Sequence, residues 1–178
     1  MKRIFSAVLL GMLMFSSALA SAFTVPASGT IETNFSPNEG GEELVLKVIN
    51  SAKNEIKMLS YSFTSVPVTD ALVTAQGRGV KVSLVADFHG NLSKSSQLAF
   101  HKLMTAGCEV KTISVYTIHH DKVIIVDGTT VEQGSFNYSY SAEHKNSENV
   151  LVNWNNPALA AIFMSHFNRN YNQAEEFK

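Results

Sequence analysis

A chain of 178 residues, 45% hydrophobic and 16% charged, suffices for one globular domain with a substantial core but not comfortably for two. With 14 Lys and Arg against 15 Asp and Glu it is not a uniformly basic nucleic-acid binder, so any grip on a polyanion must come from a local patch. The single cysteine, Cys108, excludes an intrachain disulfide and reads as a small semi-buried residue; with neither a Cys/His zinc spacing nor a carboxylate-rich calcium loop, no metal site and no cofactor are expected.

At the N-terminus, Lys2 and Arg3 precede an apolar stretch from Ile4 to Phe15 and the small-x-small sites Ala18-Leu19-Ala20 and Ala20-Ser21-Ala22. This pattern predicts a secretory signal peptide over residues 1–22, cleaved after Ala20 or Ala22, and a single domain over 23–178 in the periplasm or outside the cell. An uncleaved anchor is the weaker reading, because the apolar run falls short of the ~20 residues that span a bilayer. Loss of Lys2 and Arg3 leaves 12 basic against 15 acidic side chains, a net charge of −3.

Thr30 to Phe35 is predicted as a first strand, and Glu42 to Asn54 as a helix with Leu44, Val45, Val48, Ile49 and Ala52 at helical spacing. Glu55 to Phe63 reads as a strand, Val68 to Gln76 as a short helix stopped by Gly77-Arg78-Gly79, Val80 to Ala86 as an apolar strand, and Ser95 to Ala106 as a third helix ending at Gly107. Strands follow at Glu109 to Ser114 and His120 to Val126. Thr130 to Gly134 pairs back across an Asp127-Gly128 turn, and Glu148 to Val152 is a further strand. Asn156-Pro157 opens a final helix, whose Leu159, Phe163, Phe167 and Tyr171 form a core stripe. The fold class is α/β, a mixed β-sheet flanked by helices on both faces.

The segment from Ile118 to Asn137, IHHDKVIIVDGTTVEQGSFN, places ionisable groups at both ends of an apolar run. On a strand, His120 and Lys122 share one face, while His119 and Asp121 share the other. An imidazole beside an ammonium is costly to bury without an anion between them, and phosphate is the natural guest. His120, Lys122 and Asp127 form H-x-K-x4-D; Gly134-Ser135-x-Asn137 follows, and then Glu148 in KNSENVLV.

On these residues the chain resembles the phospholipase D superfamily, whose signature is the HKD motif followed by G-S-x-N and a downstream acidic residue. More narrowly, it is similar to the small secreted bacterial endonucleases of that superfamily, which carry one such motif. The resemblance extends to YSFTS at Tyr61 to Ser65 and RGVKVSLVAD at Arg78 to Asp87. It implies a phospholipase D-like fold and a covalent phosphohistidine on His120, with Lys122, Ser135 and Asn137 binding phosphate oxygens and no metal required. Glu148 is implied to hold the second ring nitrogen of His120, and Gly134 to permit close backbone approach. Asp127, the remaining member of the catalytic motif, sits at a turn and is expected to support its geometry through hydrogen bonds.

Outside the signature, His119 is expected at the rim, and His89, His101, His144 and His166 in surface or packing roles. Tyr138 and Tyr140 either stack on bases or pack the segment after the motif. Because superfamily members with two motifs bring both to one site, a single-motif chain is expected to form a homodimer with its site on the twofold. The function implied is a metal-independent, sequence-nonspecific endonuclease acting on DNA, with RNA left open. A phospholipase D or phosphatidyltransferase is the alternative, disfavoured because no amphipathic membrane helix is evident and stable membrane association of the mature chain is not expected. A noncatalytic nucleic-acid-binding module has no use for the His120, Lys122 and Glu148 combination.

Overall fold

The computed structural model describes residues 22–178, so the predicted signal peptide lies outside the described residues but for Ala22. Strands β1 (Thr30–Ser36), β2 (Glu55–Ser60), β3 (Lys81–Asp87), β4 (Glu109–Ile113), β5 (Lys122–Val126), β6 (Thr130–Gly134), β7 (Glu148–Trp154) and β8 (Glu175–Glu176) form one sheet in the order β1-β7-β6-β5-β2-β3-β4-β8. β2, β3 and β4 run parallel, and every other neighbouring pair is antiparallel. The helices are α1 (Gly41–Ser51), α2 (Val66–Gly77), α3 (Lys94–Thr105), α4 (Tyr140–His144) and α5 (Pro157–Gln173).

Two apolar cores lie on the two faces of the sheet. On one, Leu44, Val48 and Ile49 of α1, Leu72 of α2 and Phe100 of α3 pack on Ile56, Met58, Leu84 and Ile124. On the other, Ala160 and Phe167 of α5 meet Leu59, Val85, Val123, Ile125 and Val131, with Leu159, Phe163 and Tyr171 beside them, as the four-residue stripe predicts. β5 shows the consequence: Ile124 and Val126 enter the first core, Val123 and Ile125 the second, and all five strand residues are buried. An unbroken apolar run is the signature of a strand covered on both faces.

The helix starts follow local chemistry. Ser65 and Ser93 accept from the backbone N–H of Val68 and Ser96, each at 3.2 Å, and Asn156 Oδ1 accepts from Leu159 at 3.1 Å with Pro157 in the first turn. At the predicted hairpin, Asp127 and Gly128 have φ of 51° and 61°, and the Thr129 N–H donates to the Val126 carbonyl at 3.0 Å. The strand predicted from His120 begins instead at Lys122, because the ladder with β2 ends at the pair Ser60 and Lys122 and leaves His120 no strand partner. Helix α4, the 3₁₀ turn His89–Asn91 and the two-residue β8 were not predicted; each is too short to show a period.

Candidate active site

β5, β6 and β7 bring Lys122, Ser135 and Glu148 to one end of the sheet, with His120 just before β5, while Asp127 lies at the other end of β5. Lys122 shares parity with Ile124 and Val126, and Glu148 shares parity with Val150 and Val152, so both side chains belong to the face that carries the first core. Gly134 is required at the neighbouring position: a Cβ there would fall 2.1 Å from the Asn149 carbonyl oxygen of β7. That close approach lets the Ser135 N–H donate to the Asn149 carbonyl at 3.1 Å, while Ser135 Oγ accepts from the Asn149 N–H at 3.1 Å. The Ser135 hydroxyl proton remains available to a ligand oxygen.

His120 is exposed, and its ring lies on Tyr61 with centroids 4.7 Å apart. Lys122 is buried; its Nζ donates to the His120 carbonyl at 2.8 Å and stands 5.2 Å from the same Tyr61 ring. Desolvation pulls the Lys122 ammonium below its ordinary pKa, and the negative charges of Glu148 and then Asp121 oppose that pull. Asn137 Oδ1 is buried with no hydrogen-bond partner among the described residues. An exposed imidazole, a buried ammonium and a free hydroxyl proton at one sheet end suit a phosphate in contact with a nucleophile.

Two expectations need correction. The predicted hydrogen bond between the His120 ring and Glu148 is not formed; Glu148 Oε1 accepts from Asn146 Nδ2 at 2.9 Å, and Glu148 acts on Lys122 through its charge. His119 is not at the rim but 3% exposed: its N–H donates to Asp87 Oδ2 at 2.7 Å, its ring stacks on Tyr116, and its Nε2 lies 3.3 Å from Asp121 Oδ2. Asp121 also pairs with His166 of α5 at 2.7 Å, and hydrogen bonding to His119 and His166 holds its carboxyl down at about 2.

Asp127 supports the motif from a distance. It stands at the far end of β5 from His120, and its carboxylate accepts the N–H groups of Lys53, Asn54 and Glu55 at 2.9, 2.8 and 2.9 Å. It therefore docks the hairpin turn onto the start of β2 and does not reach the end that carries His120. Of the two tyrosines after the motif, Tyr138 is core and its hydroxyl donates to Glu132 at 2.8 Å, whereas Tyr140 is exposed against His144. Cys108 is buried, and burial pushes its thiol up to about 11, which suits an inert residue. The sequence reading assigned no part to Tyr61, Asp87, Asn91 or Glu132, because a neighbour supplied by a distant loop leaves no period or spacing behind.

Comparison with known proteins bears on the fold and the family. The family profile described as cardiolipin synthase, PLD-like domain, matches residues 45–171. The fold superposes on Nuc from Salmonella typhimurium, a phospholipase D family member, with a TM-score of 0.83 and 44% identity over 84% of this chain and 98% of that one. NucT from Helicobacter pylori shares the fold at a TM-score of 0.73, with 23% identity over 83% of this chain and all of that one (100%). A phospholipase D from Rickettsia conorii is 37% identical over 122 residues, 68% of this chain, and the match spans 60% of that relative's length. With His120, Lys122, Ser135 and Glu148 at one sheet end and the profile and fold in agreement, the chain belongs to the phospholipase D superfamily, a family of enzymes that cleave or exchange phosphodiesters.

Proposed function

We propose that this chain is a metal-independent, sequence-nonspecific endonuclease of the periplasm or the secreted fraction, active as a homodimer on DNA and, as a further substrate, RNA. The observation that carries the chemistry is the exposed His120 beside the buried Lys122, whose ammonium donates to the His120 carbonyl. In the first step a neutral His120 ring nitrogen forms a bond to phosphorus while the bond from phosphorus to the leaving oxygen breaks, and that oxygen takes a proton from His120 of the partner subunit. In the second step the same partner ring, now neutral, removes a proton from water. The water oxygen attacks phosphorus, and His120 departs as the N–P bond breaks. Lys122, Ser135 and Asn137 bear on the non-bridging oxygens, where charge rises in the transition state.

Two surface features support the substrate and assembly parts of the reading. Tyr140, His144 and Lys145 form an exposed aromatic and cationic group between Asn137 and Glu148, with ring centroids of Tyr140 and His144 4.3 Å apart and Lys145 Nζ 5.9 Å from the tyrosine ring. Such a group suits a base and its phosphate better than an acyl chain. Val115, Tyr116 and Ile118, the residues leading to His120, expose apolar surface of the kind a second subunit covers.

A phospholipid substrate is the second reading, and exposed Val66 at the start of α2, Phe88 and Leu92 after β3 and Leu98 on α3 favour it, as apolar surface for a membrane. The relatives called phospholipase D and, from Danio rerio, mitochondrial cardiolipin hydrolase bear on this reading; the latter is 28% identical over 86% of this chain and 64% of its own length. The purified protein, incubated with chelator alongside plasmid DNA, RNA and anionic phospholipid vesicles, decides between them, with His120→Ala as control. Nicking of DNA that His120→Ala abolishes is expected; release of lipid headgroup with intact DNA would replace the nuclease reading by the lipid one.

A further inference from the structure

Neither YSFTS nor the loop that follows RGVKVSLVAD has a part in the chemistry described so far, yet both converge on His120. Tyr61, the first residue after β2, has its ring 4.7 Å from the His120 ring at a 48° tilt, and Lys122 Nζ 5.2 Å from its centroid. The ring fills the space a side chain at Gly90 would occupy: a Cβ there would lie 2.8 Å from Tyr61 Cε2. That residue must be glycine for Tyr61 to hold its present position.

The loop carrying Gly90 is tied to both partners. The buried Asp87 carboxylate accepts from the Gly90 N–H at 2.6 Å with Oδ1 and from the His119 N–H at 2.7 Å with Oδ2, so one side chain joins the residue behind Tyr61 to the residue before His120. Buried Asn91 donates to the Tyr61 carbonyl at 2.6 Å and to the Asp87 carbonyl at 2.8 Å, and accepts from the Phe63 N–H at 2.9 Å. Every one of these bonds limits the freedom of Tyr61 against His120.

An aromatic face carries partial negative charge and attracts cations, more strongly where water is partly excluded. Lys122 is one such cation. His120 becomes a second once its ring holds a phosphoryl group or a proton. We propose that Tyr61 is a positioning residue for the reaction, holding His120 and Lys122 against one aromatic ring and stabilising the positive charge that develops on the His120 ring as it bonds to phosphorus; this rests on His120 being the nucleophile. The contacts to His120 and Lys122 are made by the ring, and Tyr61→Phe, which keeps the ring and loses the hydroxyl, separates the two.

The test compares Tyr61→Phe, Tyr61→Leu and wild type on bis(p-nitrophenyl) phosphate, whose small size removes contributions from nucleic-acid binding. Melting curves check folding, and mass spectrometry after an alkaline quench seeks the p-nitrophenyl phosphoryl adduct on His120. Tyr61→Phe should keep kcat within about twofold, whereas Tyr61→Leu should lower it roughly 3- to 30-fold with KM little changed, the range of a cation–π contact. Wild-type kcat in folded Tyr61→Leu, or an equal loss in Tyr61→Phe, would overturn the role of the aromatic face. Should Tyr61→Leu not fold, Gly90→Ala carries the test: its methyl must displace the ring and lower kcat, and a folded Gly90→Ala with wild-type kcat would overturn the proposal. Failure to find the adduct on wild-type His120 would instead sink the nucleophile assignment, a result distinct from any behaviour of the Tyr61 variants.

Discussion

Lys122 donates from Nζ to the backbone carbonyl of His120 at 2.8 Å. The bond fixes the buried ammonium against the segment that carries the imidazole, so the two groups are held as one unit. It also uses one of three N–H bonds and leaves two for phosphate oxygens.

Replacing Lys122 with Met should therefore remove the chief positive charge of the site while keeping most of its apolar stem. We expect kcat on a phosphodiester to fall about 10²- to 10³-fold, the loss typical of a transition-state oxyanion donor. Lys122→Arg should not restore it, because a planar guanidinium cannot replace a compact ammonium in a buried position. Initial rates on protein of confirmed melting temperature check this, and a near-normal rate for the Met variant would remove Lys122 from the chemistry.

Asp127→Ala should separate stability from catalysis. It removes the acceptor of three backbone N–H groups and puts alanine at φ 51°, a left-handed conformation in which a Cβ without a local hydrogen bond is strained. The expected loss is about 1–3 kcal/mol of unfolding free energy, read as a lower urea midpoint. The folded fraction should keep kcat within a few-fold, since the carboxylate lies at the end of β5 remote from His120. A loss of kcat as large as that of Lys122→Met at unchanged stability would place Asp127 in the reaction instead.

Much of this arrangement was legible before the structure. The unbroken KVIIV run announced a buried strand, the Asp127-Gly128 pair announced its turn, and the signature picked out Lys122, Ser135 and Glu148, which the sheet brings to one end. What escaped depends on tertiary neighbours. The burial of His119 follows from Asp87, 32 positions earlier in the chain, and the partner of Asp121 is His166, 45 positions later. Parity placed Asp121 on the face opposite Lys122, yet nothing in the local pattern shows which α5 residue lies across from it.

Glu132 makes stability depend on pH. It is fully buried, and desolvation pushes its carboxyl up to about 8, against which the Tyr138 hydroxyl bond acts weakly. The unfolded chain releases this proton near pH 4.3 and the folded chain only near 8, so its contribution is fully present below about pH 4.3 and is lost as pH rises to 8, at up to about 1.4 kcal/mol per pH unit. Asp121, held at about 2, has the opposite sign: its smaller, half-exposed contribution is lost as pH falls from about 4 toward 2. Glu132→Gln keeps an acceptor for Tyr138 and should flatten the decline between pH 5 and 8, measured by urea unfolding at each pH. An undiminished slope in that variant would assign the pH dependence to another group.

The shared site makes the sharpest prediction, because only there does a single event need His120 from both subunits. Wild type and His120→Ala protein are mixed under conditions that exchange subunits, and the heterodimers are isolated by two affinity tags. If the site straddles the twofold, a heterodimer has one imidazole and lacks either the nucleophile or the acid for its leaving group. Full turnover should then fall far below half of wild type. Two independent sites would instead retain about half, the additive expectation for uncoupled groups. A leaving group that departs without protonation, such as p-nitrophenolate, should recover part of the first step in the heterodimer while hydrolysis of the adduct stays slow, since water still needs a base. Half activity on plasmid DNA, or a monomer with full specific activity at assay concentration, would refute the shared site.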